Sequence, residues 1–384
     1  MTDSSILTRF RDAYGRTATG VWSAPGRVNL IGEHTDYNLG FVFPFAINRR
    51  TVLALAPRED RTLRVASSFS PDPVSISLND LSPDRLHGWS AYPLGVAWAL
   101  GQVSQLRGVR TGVDVYIDSN VPIGAGLSSS AAIESAMAVA LNDVWRLDLD
   151  RRTLAKAGQL AENRAVGAPT GIMDQSASLL GRTDSGVFLD CRSLAAEVIP
   201  LGFEDAGLEV LVMDTHVSHA HATGGYAARR ASCEAGARAL KADSLRDVQL
   251  SDLPEAEEVL DEETFRRVRH VVTENQRVLD TVRTLREKGP HAIGPLLDAS
   301  HVSMRDDFEI SSPELDLAVS TAQASGAVGA RMTGGGFGGA AIALVDRADT
   351  QSVRDAVAAS FAEAGYRAPD TFTVRAAQGA GREQ

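Results

Sequence analysis

The sequence predicts a mixed α/β (α+β) chain folded as two domains, and three observations carry that expectation. At 384 residues the chain exceeds what one hydrophobic core usually serves. β-prone pieces and longer runs of helix formers occur in both halves, as mixed folds require. Past Pro200 the pattern starts again with a β-like piece, LEVLVMDT (208–215). The division is expected near 201, giving domains over 1–200 and 201–384.

Taken in order, Gly20 to Ile31 combines VWSA, then Pro25 and Gly26, then VNLI, which reads as strand, tight turn, strand. GFVFPFAI (40–47) and TVLALAP (51–57) are further β-rich pieces able to complete a sheet. Between Trp89 and Leu106 the spacing of Leu94, Ala97, Trp98 and Val103 is helical, and VDVYIDS (113–119) alternates as a half-buried strand. The Gly-rich turn of VPIGAGLSSSAAIESAMAVALNDVW (121–145) delivers the chain into good helix formers. Arg152 to Ala165 reads as helix, closed by Gly167 and Pro169, and GIMDQSASLLG (171–181) opens another apolar segment. The second half adds a helix with GGYAARRASCEAGARAL (224–240), acidic helical stretches to about 288, and a Gly-rich strand region over 329–346.

Composition removes several function classes. A net charge of -11 repels a polyanionic backbone, so nucleic acid is not an expected partner. Cys191 and Cys233 are two cysteines in a long chain, too few for a disulfide framework and without metal-ligand spacing; a reduced, cytoplasmic setting follows. MTDSSILTRFRDAYG has no apolar stretch of the kind a secretory signal carries, and no run of about 18 apolar residues offers a membrane span. A soluble protein is expected, binding small molecules and acting as a monomer. His216, His219 and His221 lack the spacing of a helical zinc site and are placed in a solvated loop.

Four constellations point to chemistry. The strongest is Gly124-Ala125-Gly126-Leu127-Ser128-Ser129-Ser130 at the head of a helix: glycines let the backbone approach an anion, and unpaired N–H groups with the helix dipole attract it. No Lys lies in this loop, so it is not a Walker A loop; its hydroxyls can cap the helix or ligate a hard cation. The second is Arg27 followed by Glu33, His34 and Asp36, a density of polar groups that serves a ligand's hydroxyls or forms a charged surface turn. The third is Asp174 in GIMDQ, with Glu162 twelve residues earlier; a carboxylate just after a Gly/Pro loop can be aimed into a cleft to accept a proton, or can cap a helix. The fourth is Gly334-Gly335-Gly336-Phe337-Gly338-Gly339, where a backbone passes very close to something or makes a packed turn. Phosphoryl transfer demands a positioned base, a metal ligand and a cation, which these residues together supply.

Read together and in this order, the pieces resemble the three motifs of the GHMP kinase superfamily. Within it, Ala24-Pro25-Gly26-Arg27-Val28-Asn29-Leu30-Ile31-Gly32-Glu33-His34-Thr35-Asp36-Tyr37 resembles the signature of the galactokinase family. The resemblance implies an N-terminal domain like domain 2 of ribosomal protein S5, a ferredoxin-like C-terminal domain and a site in the cleft between them. It implies ATP and Mg2+, with Gly124 to Ser130 around the phosphates and Ser130 and Glu162 on the metal. Asp174 is implied as base and Arg27 as the cation that stabilises the transition state, with galactose held by Glu33, His34, Thr35, Asp36, Gly171 and Tyr226. Where the family commonly has Ser and Glu before that tyrosine, this chain has Gly224 and Gly225. The alternatives are a related kinase acting on N-acetylgalactosamine, arabinose or mevalonate, and a galactose and ATP sensor without catalysis; mevalonate kinases lack the continuation into Thr35-Asp36-Tyr37, and the complete Ser128 to Ala132 run favours an enzyme.

Overall fold

The computed structural model describes residues 3–103, 111–218 and 222–384. Helix α1 (Asp3–Tyr14) lies on the outer face of a six-stranded sheet, burying Ile6 and Phe10 against Val21, Ala54 and Ala56. The expected strand-turn-strand over 20–31 is instead one ten-residue strand, β1 (Gly20–Asn29). Its pairing with the long strand that follows slips between Pro25 and Arg27. A bulge of this kind accommodates a proline, which has no N–H for the ladder, without ending the strand.

β2 (Phe41–Val42), β3 (Pro44–Pro57), β4 (Thr62–Ser67), β5 (Ser70–Ser77), helix α2 (Ala91–Val103) and β6 (Val113–Ser119) follow. The two pieces expected at 40–47 and 51–57 divide differently: β3 is continuous through both, and β2 joins another sheet. Helices α3 (Ser129–Val144), α4 (Arg151–Ala161) and α5 (Met173–Leu180) pack with α2 over the inner face of the first sheet. β7 (Ser185–Asp190) and β8 (Ala195–Pro200) pair with β2 in a small three-stranded sheet.

β9 (Leu208–Ser218) opens the second half, so His216 stands in a strand rather than in the expected loop; His219 and His221 lie outside the described residues. Helices α6 (Ala222–Ala239), α7 (Leu253–Val259), α8 (Glu262–Lys288), α9 (Gly294–Asp306) and α10 (Pro313–Ala324) precede β10 (Gly329–Thr333) and β11 (Gly338–Asp346). The chain ends with α11 (Thr350–Glu363), β12 (Asp370–Val374) and β13 (Gly381–Arg382).

The first sheet has the order β13-β1-β3-β6-β4-β5, and the last strand therefore returns to the first. The second is antiparallel with order β10-β11-β9-β12, the arrangement of a ferredoxin-like β-α-β-β-α-β unit. An apolar seam joins the halves: Val28, Leu30 and Ile31 at the end of β1 pack with Val212, Val278 and Ile342. Beside it Arg331 of β10 donates to the carbonyls of Asn29 and Leu30, each at 3.1 Å, and to Glu33 Oε2 at 2.5 Å. Glu274 of α8 accepts from the Gly32 N–H at 2.9 Å; burial pushes its carboxyl up, but Arg277 and Arg331 outweigh that and bring it down to about 2. Such a buried, satisfied network fixes orientation more than it adds stability. Its effect is to place residues 29–36 at the junction. Among the described residues no helix is long and apolar enough to cross a membrane.

Candidate active site

The loop over 121–128 reaches α3 through three left-handed residues, Gly124, Gly126 and Ser128. Among the described residues no side chain caps α3, so the hydroxyl-cap alternative does not apply. Its first-turn N–H groups stay available to an anion, which is the usual use of an uncapped N-terminus facing a cleft. Ala125 and Leu127 turn their side chains inward and are buried, leaving backbone toward the cleft. The Ser128 hydroxyl donates instead to Asp174 Oδ2.

Asp174 lies in the first turn of α5 without capping it. Arg27, aimed across the site from just past the bulge, holds it in a bidentate pair, Nε to Oδ1 at 2.8 Å and Nη2 to Oδ2 at 2.9 Å. The remaining Arg27 nitrogen donates to the Gly126 carbonyl, and the Arg27 N–H donates to the Leu127 carbonyl at 3.0 Å. One buried guanidinium therefore ties the Gly-Ser loop to the carboxylate. A fork-to-fork pair of this kind is specific in geometry as well as strong.

Asp36 sits next to this pair. The N–H groups of Tyr37 and Met173 donate to it at 2.9 and 3.5 Å. Burial, and then the charge of Asp174, raises its carboxyl to about 6. A Cβ on Gly171 would fall on the Asp36 carboxylate itself, so only glycine fits there. Arg230 of α6 donates to the Pro169 carbonyl at 2.8 Å and holds the loop that carries Gly171.

His34 has its Nε2 3.1 Å from the Gly335 carbonyl and its Nδ1 2.7 Å from the Tyr37 hydroxyl. The first contact requires Nε2–H as donor, so Nδ1 accepts from Tyr37. Burial lowers His34 to about 3, and the ring is neutral. Tyr226 packs on it, ring centroids 4.9 Å apart. Next to Tyr226, a Cβ on Gly225 would lie 2.7 Å from the Phe337 ring, which suits the glycine found there.

Two signature residues are engaged by the protein. Glu33 accepts from Asn29, Arg331, Thr333 and the Gly334 N–H. The Thr35 hydroxyl lies 2.9 Å from the Gly32 carbonyl and 2.6 Å from that of Phe41. The Gly-rich segment 334–339 packs against the Gly-Ser loop: a Cβ on Gly334 would lie 3.0 Å from the Gly126 carbonyl. Its glycines permit close approach of one loop to another.

The Ser130 hydroxyl donates to Glu162 Oε1 at 3.2 Å, where α4 runs into a π-helical turn over Glu162–Val166. Glu162 Oε2 accepts from Thr170 at 2.7 Å and Gln175 at 2.9 Å. Burial, then Asp174, raises the Glu162 carboxyl, and burial, then Glu162, raises Glu134 well above its ordinary range. Sequence reasoning passed over Glu134, gave Gln175 no role within GIMDQ, and read Ser128 only as part of the Gly-Ser loop, not as a partner of Asp174. The signal for Glu134 is a lone charge inside the apolar, Ala-rich run from Ala131 to Leu141.

Three family models match: the galactokinase galactose-binding signature over residues 8–57, the GHMP kinase N-terminal domain over 91–182 and the GHMP kinase C-terminal model over 281–363. The chain is 52% identical over 381 residues to a galactokinase of Streptomyces coelicolor, covering 98% of each. It is 43% identical over 362 residues to a galactokinase of Mycobacterium tuberculosis, covering 94% of this chain and 98% of that one. The crystal structure of Lactococcus lactis galactokinase complexed with galactose superimposes with a TM-score of 0.93 at 31% identity, covering 98% and 99%. Methanococcus jannaschii mevalonate kinase shares the fold, with a TM-score of 0.65 at 18% identity over 93% and 98%. The motifs, the architecture and full-length identity agree, and the chain belongs to the galactokinase family of GHMP kinases.

Proposed function

We propose that this protein transfers the γ-phosphoryl group of ATP to the anomeric hydroxyl of α-D-galactose. The observation that carries this reading is the Arg27–Asp174 pair, bonded at once to the Gly-Ser loop and set beside Asp36. In it the active site lies between 1–200 and 201–384, and the protein acts as a cytoplasmic monomer.

Asp36, His34, Tyr226 and the Gly171 backbone bind the sugar, with Glu33 and Thr35 shaping the floor beneath them. Gly124 to Ser130 offer backbone N–H groups to the phosphates. Asp174 orients the attacking hydroxyl and takes its proton; because the transition state is loose, little base strength is needed. Arg27 stands where charge builds on the transferring group and offsets it without reorganising. Ser130 and Glu162 present oxygen donors on adjacent elements, a set that fits Mg2+, which prefers one or two protein oxygens together with phosphate and water. Bound there, Mg2+ neutralises charge on the phosphates.

An acceptor panel with an ATP-consumption readout tests the reading. Galactose is expected to be turned over far faster than N-acetylgalactosamine, arabinose or mevalonate, and turnover of another acceptor with none of galactose overturns it.

Asp36 makes the reading pH-dependent. As an acceptor for sugar hydroxyls it must be ionised, so kcat/KM for galactose is expected to fall as pH drops through about 6, the free-enzyme value that this parameter reports. Asp36→Asn lowers the plateau and removes that limb. Stability runs the other way. A carboxyl raised above its unfolded value favours the fold at low pH, and that contribution is lost as pH rises through about 6. Asp36→Asn is therefore expected to raise Tm at pH 8 and to gain nothing at pH 4, measured by thermal melts.

A further inference from the structure

Behind the Ser130–Glu162 pair lies a layer that neither ATP nor sugar binding accounts for. Gln175 follows Asp174 on α5 and is fully buried. Its Nε2 forks between two carboxyls, donating to Glu162 Oε2 at 2.9 Å and to Glu134 Oε2 at 2.8 Å. The fork orients the amide, since a flip would turn its carbonyl toward both carboxyl oxygens. Glu134 is also fully buried and stands four residues after Ser130, on the same face of α3. Gly158 stands four residues before Glu162 on α4, and a Cβ there would lie 2.8 Å from Gln175 Cγ. Three helices thus meet at one amide, and α4 gives up a side chain to admit it. Among the described residues Glu134 Oε1 and Gln175 Oε1 have no hydrogen-bond partner, so this polar layer is retained at the expense of two buried oxygens, where an apolar filling leaves none.

We infer that Gln175, braced by Glu134, is a positioning residue that aims Glu162 at the cation: together with the Thr170 hydroxyl it ties Glu162 Oε2 back and leaves Oε1 facing Ser130. The inference rests on the reading of Glu162 as an Mg2+ ligand. Groups in this position around metal ligands commonly alter metal affinity by about 10–100-fold. The adjacency of Asp174 and Gln175 on α5 then lets one helix hold both the proton acceptor and the brace of the metal ligand.

The test uses the full-length enzyme and two readouts: initial rates against Mg2+ concentration with ATP and galactose saturating, and Mn2+ binding to the enzyme–ADP complex by electron paramagnetic resonance. Gln175→Leu is expected to weaken both by about tenfold or more, with galactose KM within about twofold of the parent. Glu134→Leu should follow Gln175→Leu, whereas Glu134→Gln keeps an acceptor for the Gln175 amide and should retain parental Mn2+ affinity. Gly158→Ala leaves every polar group in place and only crowds Gln175; a severalfold loss is expected, and it serves as the probe if the leucine variants fail to fold. Parental Mn2+ affinity in Gln175→Leu, or in Gly158→Ala where it is the probe, overturns the inference, as does equal damage in Glu134→Gln and Glu134→Leu. Glu162→Gln separates the levels. If it leaves Mn2+ affinity unchanged, the metal reading has failed; if it weakens Mn2+ and Gln175→Leu does not, only the brace has failed.

Discussion

Asp174→Asn is expected to lower kcat by about a hundredfold to ten-thousandfold, the range for losing a positioned proton acceptor. Asparagine keeps the size of the side chain and one oxygen, so steric change is minimal. It removes the charge that faces Arg27 and one of the two acceptors of the bidentate pair. Arg27 is 4% exposed and cannot recover the lost partner from water, so the guanidinium is expected to turn further toward the Gly126 carbonyl. Both the acceptor hydroxyl and the phosphate loop then lose their alignment. Single-turnover rates, with circular dichroism to verify the fold, are the measurement. A kcat within about threefold of the parent removes Asp174 from the chemistry.

Gly171→Ala is expected to raise galactose KM by about a hundredfold, with ATP KM near the parent. A single methyl acts here because the Asp36 carboxylate already occupies the place of the new Cβ. Asp36 is held from behind by the Tyr37 N–H and cannot retreat freely. A displacement of about 1 Å at a binding constellation costs on the order of a hundredfold. Asp36→Ala should itself raise galactose KM far more than ATP KM. In the double variant the methyl has room, so the two effects should fall well short of additive. Additive losses by steady-state kinetics would show that the methyl acts elsewhere.

Much of this site was legible as types of residue in an order. The Gly-Ser run before good helix formers marks a helix end suited to an anion from local chemistry. Arg27, Glu33, His34, Asp36 and Asp174 were visible because charge beside apolar strands needs a purpose. Alternation could not see the bulge at Pro25 to Arg27: a bulge is defined by the partner strand it slips against, and single-strand pattern contains no partner. Ser128 likewise looks like a helix cap, and only the arrival of Asp174 from α5 gives its hydroxyl a better acceptor.

The amino-acid sequence by itself determined the mixed fold and the residue types at the site, because propensity, glycine placement and charge act over a few neighbours along the chain, and the family entered through the resemblance of residues 24–37 and the other motifs to a known one. The tertiary structure decided what those residues do to one another. It set Arg27 between loop and carboxylate, occupied Glu33 with Arg331, pressed the glycines of 334–339 against those of 124–126, and placed the Gln175 amide between Glu134 and Glu162. Each of these contacts joins segments far apart in the chain, and its strength depends on burial and direction, which exist only once the elements have packed.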